Sequence, residues 1–171
     1  MTETGVTEGL RSHLNVVLYE PLIPQNTGSI ARLCACTRAH LHLIHPLGFS
    51  IDEKSVKRAG LDYWDKVKVF EHVSWEAFIK TENPTHLYFF SKFSHVPYTE
   101  ASFEGPCYLV FGNENGGLPA EFRLSFPDRF FVVPIQKEIV RSLNLAQCAA
   151  IVVYEVLRRD GFQDLTDAKM C

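Results

Sequence analysis

Positive charge is in short supply in this 171-residue chain: 17 Lys and Arg stand against 20 Asp and Glu, a formal −3. A surface that coats nucleic acid broadly is strongly basic, so that class is excluded. Long apolar runs are missing too. The longest candidate, Cys148 to Tyr154, is far short of the roughly 18 residues that suggest a transmembrane helix. The opening MTETGVTEGLRSH is acidic at first and lacks an apolar core, so no signal peptide is predicted. The 5 cysteines, an odd number, do not suggest a disulfide framework. Neither G-x-G-x-x-G nor G-x-x-x-x-G-K-[ST] occurs, and the G-x-S-x-G elbow of acyl-transfer enzymes is absent as well. These absences predict a reduced, cytoplasmic protein without a membrane partner or a standard phosphate loop.

What is present reads as one globular domain. Apolar residues make up 46% and charged residues 22%, enough to bury a core without disulfides or metal. Residues 14–162 are predicted to form the domain, with polar tails at 1–13 and 163–171. Short runs apolar on both faces, as in a buried parallel sheet, predict strands at Leu14–Tyr19, Leu41–His45 and Val67–Glu71. Further strands are expected at His86–Ser91, Cys107–Phe111 and Arg129–Val133. Helices are predicted at Thr27–Arg38, Ser74–Lys80, Ala120–Ser125 and Leu145–Arg159, with Asn26-Thr27 as a capping signal for the first. The last carries Leu145, Ala149, Val153, Val156 and Leu157 on one stripe. The alternation implies an α/β fold, a mainly parallel sheet flanked by helices.

Three segments offer chemistry. In the first, EPLIPQNTGSIAR, a helix N-terminus suited to an anion is followed by Arg32 one turn past Gly28. The second, FGNENGGLP at 111–119, leaves an apolar strand where α/β folds bind ligands, with Glu114 its lone charge. Then VPIQKEIVRSLNLAQ sets Arg141, Ser142 and Asn144 before the last helix, where either Ser142 or Asn144 suits the N-cap. A zinc site from Cys34, Cys36, His40, His42 and His45 is disfavoured, because two cysteines two residues apart diverge on a helix. No metal is expected.

In order, Asn26-x-Gly28-x-x-x-Arg32, Phe111-Gly112-x-Glu114-x-x-Gly117-Leu118-Pro119 and Arg141-Ser142-Leu143-Asn144-Leu145 resemble the three motifs of the SPOUT methyltransferases. These are knotted RNA enzymes that use S-adenosylmethionine. NVVLYEPLIPQNTGSIARLC, RAGLDYW at 58–64 and AAIVVYE at 149–155 narrow the likeness to the small, single-domain type acting on tRNA. That type 2′-O-methylates the wobble nucleotide, position 34, a cytidine or modified uridine.

The resemblance implies a C-terminal trefoil knot and a homodimer with active sites at its interface. It implies a donor pocket of Phe90, Gly112, Glu114, Val133, Ile135, Ser142 and Leu143. Arg32, Ser142 and Asn144 are its implied catalytic group, and Asn26 and Tyr154 match further motif positions, implied to bind RNA. Asn115-Gly116 stands where relatives usually place a Ser or Thr followed by another residue. Residues 11–60 hold six bases against three acids, so Arg32, Arg38, Lys54, Lys57 and Arg58 form the expected RNA patch. A ribose elsewhere in tRNA or rRNA, or a donor- and RNA-binding module without catalysis, are the alternatives.

Overall fold

The computed structural model describes residues 14–51, 64–163 and 165. Its strands are Leu14–Tyr19 (β1), His40–Ile44 (β2), Val69–His72 (β3), His86–Phe90 (β4), Cys107–Phe111 (β5) and Phe130–Phe131 (β6). They form one 6-stranded sheet in the order β3-β2-β1-β5-β4-β6, and every pairing is parallel. Helices among the described residues are Pro24–Thr37 (α1), Trp75–Glu82 (α2), Ala120–Ser125 (α3) and Leu145–Arg159 (α4). None is long and apolar enough to cross a membrane.

Period-2 alternation splits the strand residues between two cores. Val16, Leu18, Leu41, Leu43, Leu109 and Phe111 pack with Ile30, Ala31 and Cys34 of α1 and with Ala149, Val152 and Val153 of α4. Val17, Ile44, Leu87, Phe89 and Val110 face the other way, against Phe78 of α2 and Phe122 of α3. Two-sided burial explains why these strands read as continuous apolar runs. The predicted sheet class therefore stands, with helices on both faces.

Several bounds move. β1, β5, α3 and α4 lie where predicted, whereas β2 runs one residue earlier and β4 stops at Phe90. β3 begins later because Val67 closes a turn, its N–H donating to the Trp64 carbonyl at 3.2 Å. β6 shrinks to two residues, and Val132 instead makes a single bridge to Pro97. α2 starts at Trp75, with the Ser74 hydroxyl accepting from Ala77 N at 3.2 Å. On α4 the buried stripe is Ala149, Val152 and Val153; Leu145, Val156 and Leu157 are half-buried.

The main correction concerns α1. It opens at Pro24, a residue suited to the first turn because its missing N–H would have had no intrahelical acceptor. Ile23 is the N-cap and gives no side-chain cap, so Asn26 and Thr27 lie inside the helix, both buried. Asn26 is occupied elsewhere.

Candidate active site

Beyond the carboxyl ends of β4, β5 and β6, beside the starts of α1 and α4, lies a cavity of about 400 Å³. Crevices at this end of an α/β sheet are where such folds bind ligands, and the volume suits a small organic molecule. Phe90, Phe111, Val133 and Leu143 supply apolar wall; Asn113, Asn115 and Ser142 supply polar edges.

The β5 loop is tightly closed. Asn113 and Gly117 exchange backbone bonds at 3.2 and 3.0 Å, and Gly117 takes φ +71°, a left-handed geometry that favours glycine. The Asn113 side-chain oxygen accepts from Asn115 N at 3.1 Å and Gly116 N at 2.6 Å. Thus Asn115 and Gly116 enter the loop's bonding through their backbone. Gly112 is needed for room: a Cβ there would sit 2.1 Å from the Gly117 carbonyl carbon.

A relay of polar bonds joins this loop to both helix starts. Glu114 accepts from Leu22 N at 2.9 Å, Ile23 N at 3.2 Å and Asn26 Nδ2 at 2.8 Å. Asn26 Oδ1 accepts from Asn144 Nδ2 at 2.9 Å. Asn144 Oδ1 in turn caps α4, accepting from Ala146 N at 2.9 Å and Gln147 N at 3.3 Å. The choice between Ser142 and Asn144 as cap falls to Asn144. The anion beside the start of α1 is therefore the protein's own carboxylate, bonded to the two amides leading into the helix.

Of the residues expected at the donor pocket, Phe90, Gly112, Glu114, Val133, Ser142 and Leu143 line this cavity, as do Asn26 and Asn144. Ile135 does not: β6 ends at Phe131, and the cavity wall includes Val132 and Val133 but not Pro134 or Ile135. Arg32, Arg38 and Tyr154 are exposed and also lie outside the lining. At 1.5 Å per helical residue, Arg32 is about 9 Å along α1 from Asn26 and Arg38 about 18 Å. Arg32 is exposed where Asn26 and Gly28 are buried, and it is not among the residues that line the cavity. Lys54, Lys57 and Arg58, most of the 58–64 segment and the 1–13 tail lie outside the described residues.

Cysteine chemistry finds no support at the site. Cys148 lines the cavity, and burial pushes its thiol up to about 11, leaving it protonated and a poor nucleophile near neutral pH. Cys34 is buried and Cys36 exposed, so they do not converge. Sequence reading missed a different group. His42, His72 and Glu82 offer ligand-type atoms within 4.8 Å of one another. Asn15 Nδ2 donates to the Cys107 carbonyl at 3.3 Å, which turns Asn15 Oδ1 toward His42 Nε2 at 3.2 Å. His42 Nε2 then carries the proton, and Nδ1 accepts from His72 Nε2 at 3.1 Å. Burial lowers the pKa of both rings, His42 to about 3, and their alternate placement on neighbouring strands was the signal available in sequence.

The sequence profile of the SpoU rRNA Methylase family matches residues 13–154. The chain belongs to this family. A Saccharophagus degradans relative named tRNA (cytidine(34)-2′-O)-methyltransferase is 46% identical, across 86% of this chain and 96% of its own length. A solved Bacillus anthracis structure superposes with a TM-score of 0.86 at 42% identity, covering 92% of this chain and 99% of the other. A second, described under 2-OH methylation of C/U34 on tRNA, gives 0.80 at 40% identity and covers 88% and 97%. This SpoU-family chain thus matches these relatives across nearly their whole length, and the cavity loops fall within the matched region.

Proposed function

We propose that the protein methylates the ribose 2′-hydroxyl of the wobble nucleotide, position 34, of tRNA, using S-adenosylmethionine. The observation that carries this reading is the relay Asn144–Asn26–Glu114, which locks three separate segments around one cavity in a chain of this family. The mixed wall fits the donor: aromatic and aliphatic groups for an adenine, amides and a hydroxyl for the ribose and amino-acid ends. When bound, the donor supplies a methyl group activated by a sulfonium sulfur.

Phe90, Val133 and Leu143 hold the donor and exclude water, while Ser142 orients it from the cavity edge. Glu114, Asn26 and Asn144 position the walls. With the donor bound there, the cavity would hold its methyl group for transfer to the ribose oxygen, the sulfur leaving as a neutral thioether and the hydroxyl proton going to a substrate phosphate or to solvent. Arg32 stabilises the developing alkoxide and clamps a phosphate. A guanidinium keeps its proton and its charge, so it serves this role better than that of a base.

Because Arg32 lies outside the cavity of its own chain, a second copy supplies it, which makes the enzyme a homodimer. Ile23, Ile151 and Tyr154, exposed on α1 and α4 or beside them, give that interface apolar area. The segment between β6 and α4 forms the expected trefoil knot, and the enzyme works in the cytoplasm. The RNA patch of Arg38, Lys54, Lys57 and Arg58 is small, consistent with gripping one anticodon loop.

The deciding experiment is labelled methyl transfer to tRNA from a strain lacking this protein, followed by mapping of the labelled nucleotide. Label at the wobble ribose is expected. Label elsewhere overturns the substrate assignment, and no label in any RNA overturns the enzyme.

A further inference from the structure

At the rim of the cavity, the loop after β4 carries an aromatic ring that neither the relay nor the donor wall requires. Phe93 is 60% exposed and lines the cavity mouth beside Ser91 and Lys92. Its loop is firmly held. Ser91 N donates to the Phe131 carbonyl at 2.9 Å, and the Ser94 hydroxyl donates to the Phe130 carbonyl at 2.7 Å. The Ser91 hydroxyl accepts from Phe93 N at 3.3 Å and from the Arg123 guanidinium at 3.2 Å. Two cations attend the ring, with Arg123 Cζ 5.2 Å and Lys92 Nζ 5.4 Å from its centroid. Arg123 is further held by its 5.6 Å contact with Phe130, whereas Lys92 is exposed.

We infer that Phe93 is a stacking platform for an unstacked nucleobase of the substrate, with Lys92 and Arg123 receiving the adjoining phosphates. This deepens the methyl-transfer reading and rests on it. To present a 2′-hydroxyl to the cavity, a loop nucleotide must leave its neighbours' stack, and it then needs a replacement surface. Both cations lie over the ring, and a base that displaces the exposed Lys92 from it frees the ammonium for the adjoining phosphate, so ring and cation together meet both demands of single-stranded RNA, base and backbone. The ring is pre-positioned, so little order is lost on binding. A flat, sequence-tolerant contact suits an enzyme that accepts either pyrimidine.

The test uses the full chain with Phe93→Ala, Phe93→Leu and Phe93→Trp, all exposed substitutions expected to leave the melting temperature unchanged. The substrate is an anticodon stem-loop RNA, and its twin carries 2-aminopurine beside the wobble nucleotide. Phe93→Ala and Phe93→Leu should lower kcat/KM for RNA about 5- to 150-fold, mostly through KM, the effect of losing one base–aromatic stack. Phe93→Trp should restore it. Quenching of 2-aminopurine should be lost in the Leu variant and kept in the Trp variant, while donor affinity by calorimetry stays constant. Wild-type efficiency and quenching in Phe93→Leu overturn the platform, as does a parallel loss of donor affinity. Wild-type quenching that Phe93→Leu abolishes, without methyl transfer by either chain, supports the platform and sinks the methyl-transfer reading.

Discussion

Glu114→Gln separates two roles that a loop carboxylate beside a sulfonium site can have: balancing the ligand's charge or tying the fold together. The structure favours the second. One carboxylate oxygen accepts from Ile23 N and Asn26 Nδ2, the other from Leu22 N. Glutamine keeps one acceptor, but its NH₂ group must face a donor. A donor left facing another donor costs about 1–3 kcal/mol, and loss of charge weakens the surviving bonds. The contacts are only part-buried or exposed, so a total of about 2–3 kcal/mol is expected. For a chain of this length that lowers Tm by roughly 4–12 °C, measurable by circular dichroism during heating. A double-mutant cycle with Asn26→Ala should show coupling of about 0.5–3 kcal/mol, since the two side chains share a bond. Donor affinity, taken by calorimetry well below the transition, should fall because the α1 and α4 starts lose their common anchor. An unchanged Tm with methylation abolished would refute this reasoning, for Glu114 would then act on the ligand and not on the loop.

Arg32→Ala should reduce turnover about 10²–10³-fold, the usual cost of removing one transition-state donor, with donor affinity in calorimetry nearly unchanged; lost donor binding with surviving turnover would contradict it. Gly112→Ala should destabilise by at least about 1–3 kcal/mol in urea titration, because the added Cβ meets backbone at 2.1 Å and backbone cannot rotate away. Acid should weaken the fold through His42. Its pKa is about 3 when folded, below the ordinary 6.5, so the unfolded chain binds the extra proton. Its contribution is complete above about pH 6.5 and declines toward pH 3 by about 1.4 kcal/mol per unit for one proton. The pH dependence of stability in His42→Gln should be flatter by about one proton across that window, and equal slopes would count against the burial argument.

Much of this architecture was legible in residue order because its causes are local. Runs such as CYLVF and HLYFFS reflect strands covered on both faces, and α4 announces itself through an apolar stripe entered at Asn144. The start of α1 was misplaced for an instructive reason. Local capping logic favours Asn26, yet its side chain is held inward by Glu114, 88 residues away, and Asn144, 118 residues away. Motif order pointed to these residues without revealing that they bond to one another. Arg32 shows the reverse: spacing set it one turn past Gly28, as the helix has it, but the fold leaves it exposed and outside the cavity lining.

Residue order alone determined the α/β class, the three polar segments and their likeness to RNA methyltransferases, since periodicity and motif spacing are written along one dimension. Tertiary structure decided that Glu114 anchors a loop, that His42 and His72 are joined by a buried hydrogen bond, and that the exposed Phe93 ring carries two cations over it. Those outcomes depend on which distant groups a twisted parallel sheet brings within about 3–6 Å, a range where hydrogen bonds and cation–π contacts act. The formal −3 limits the overall field around the protein; the fold sets Lys92 and Arg123 beside the exposed ring of Phe93.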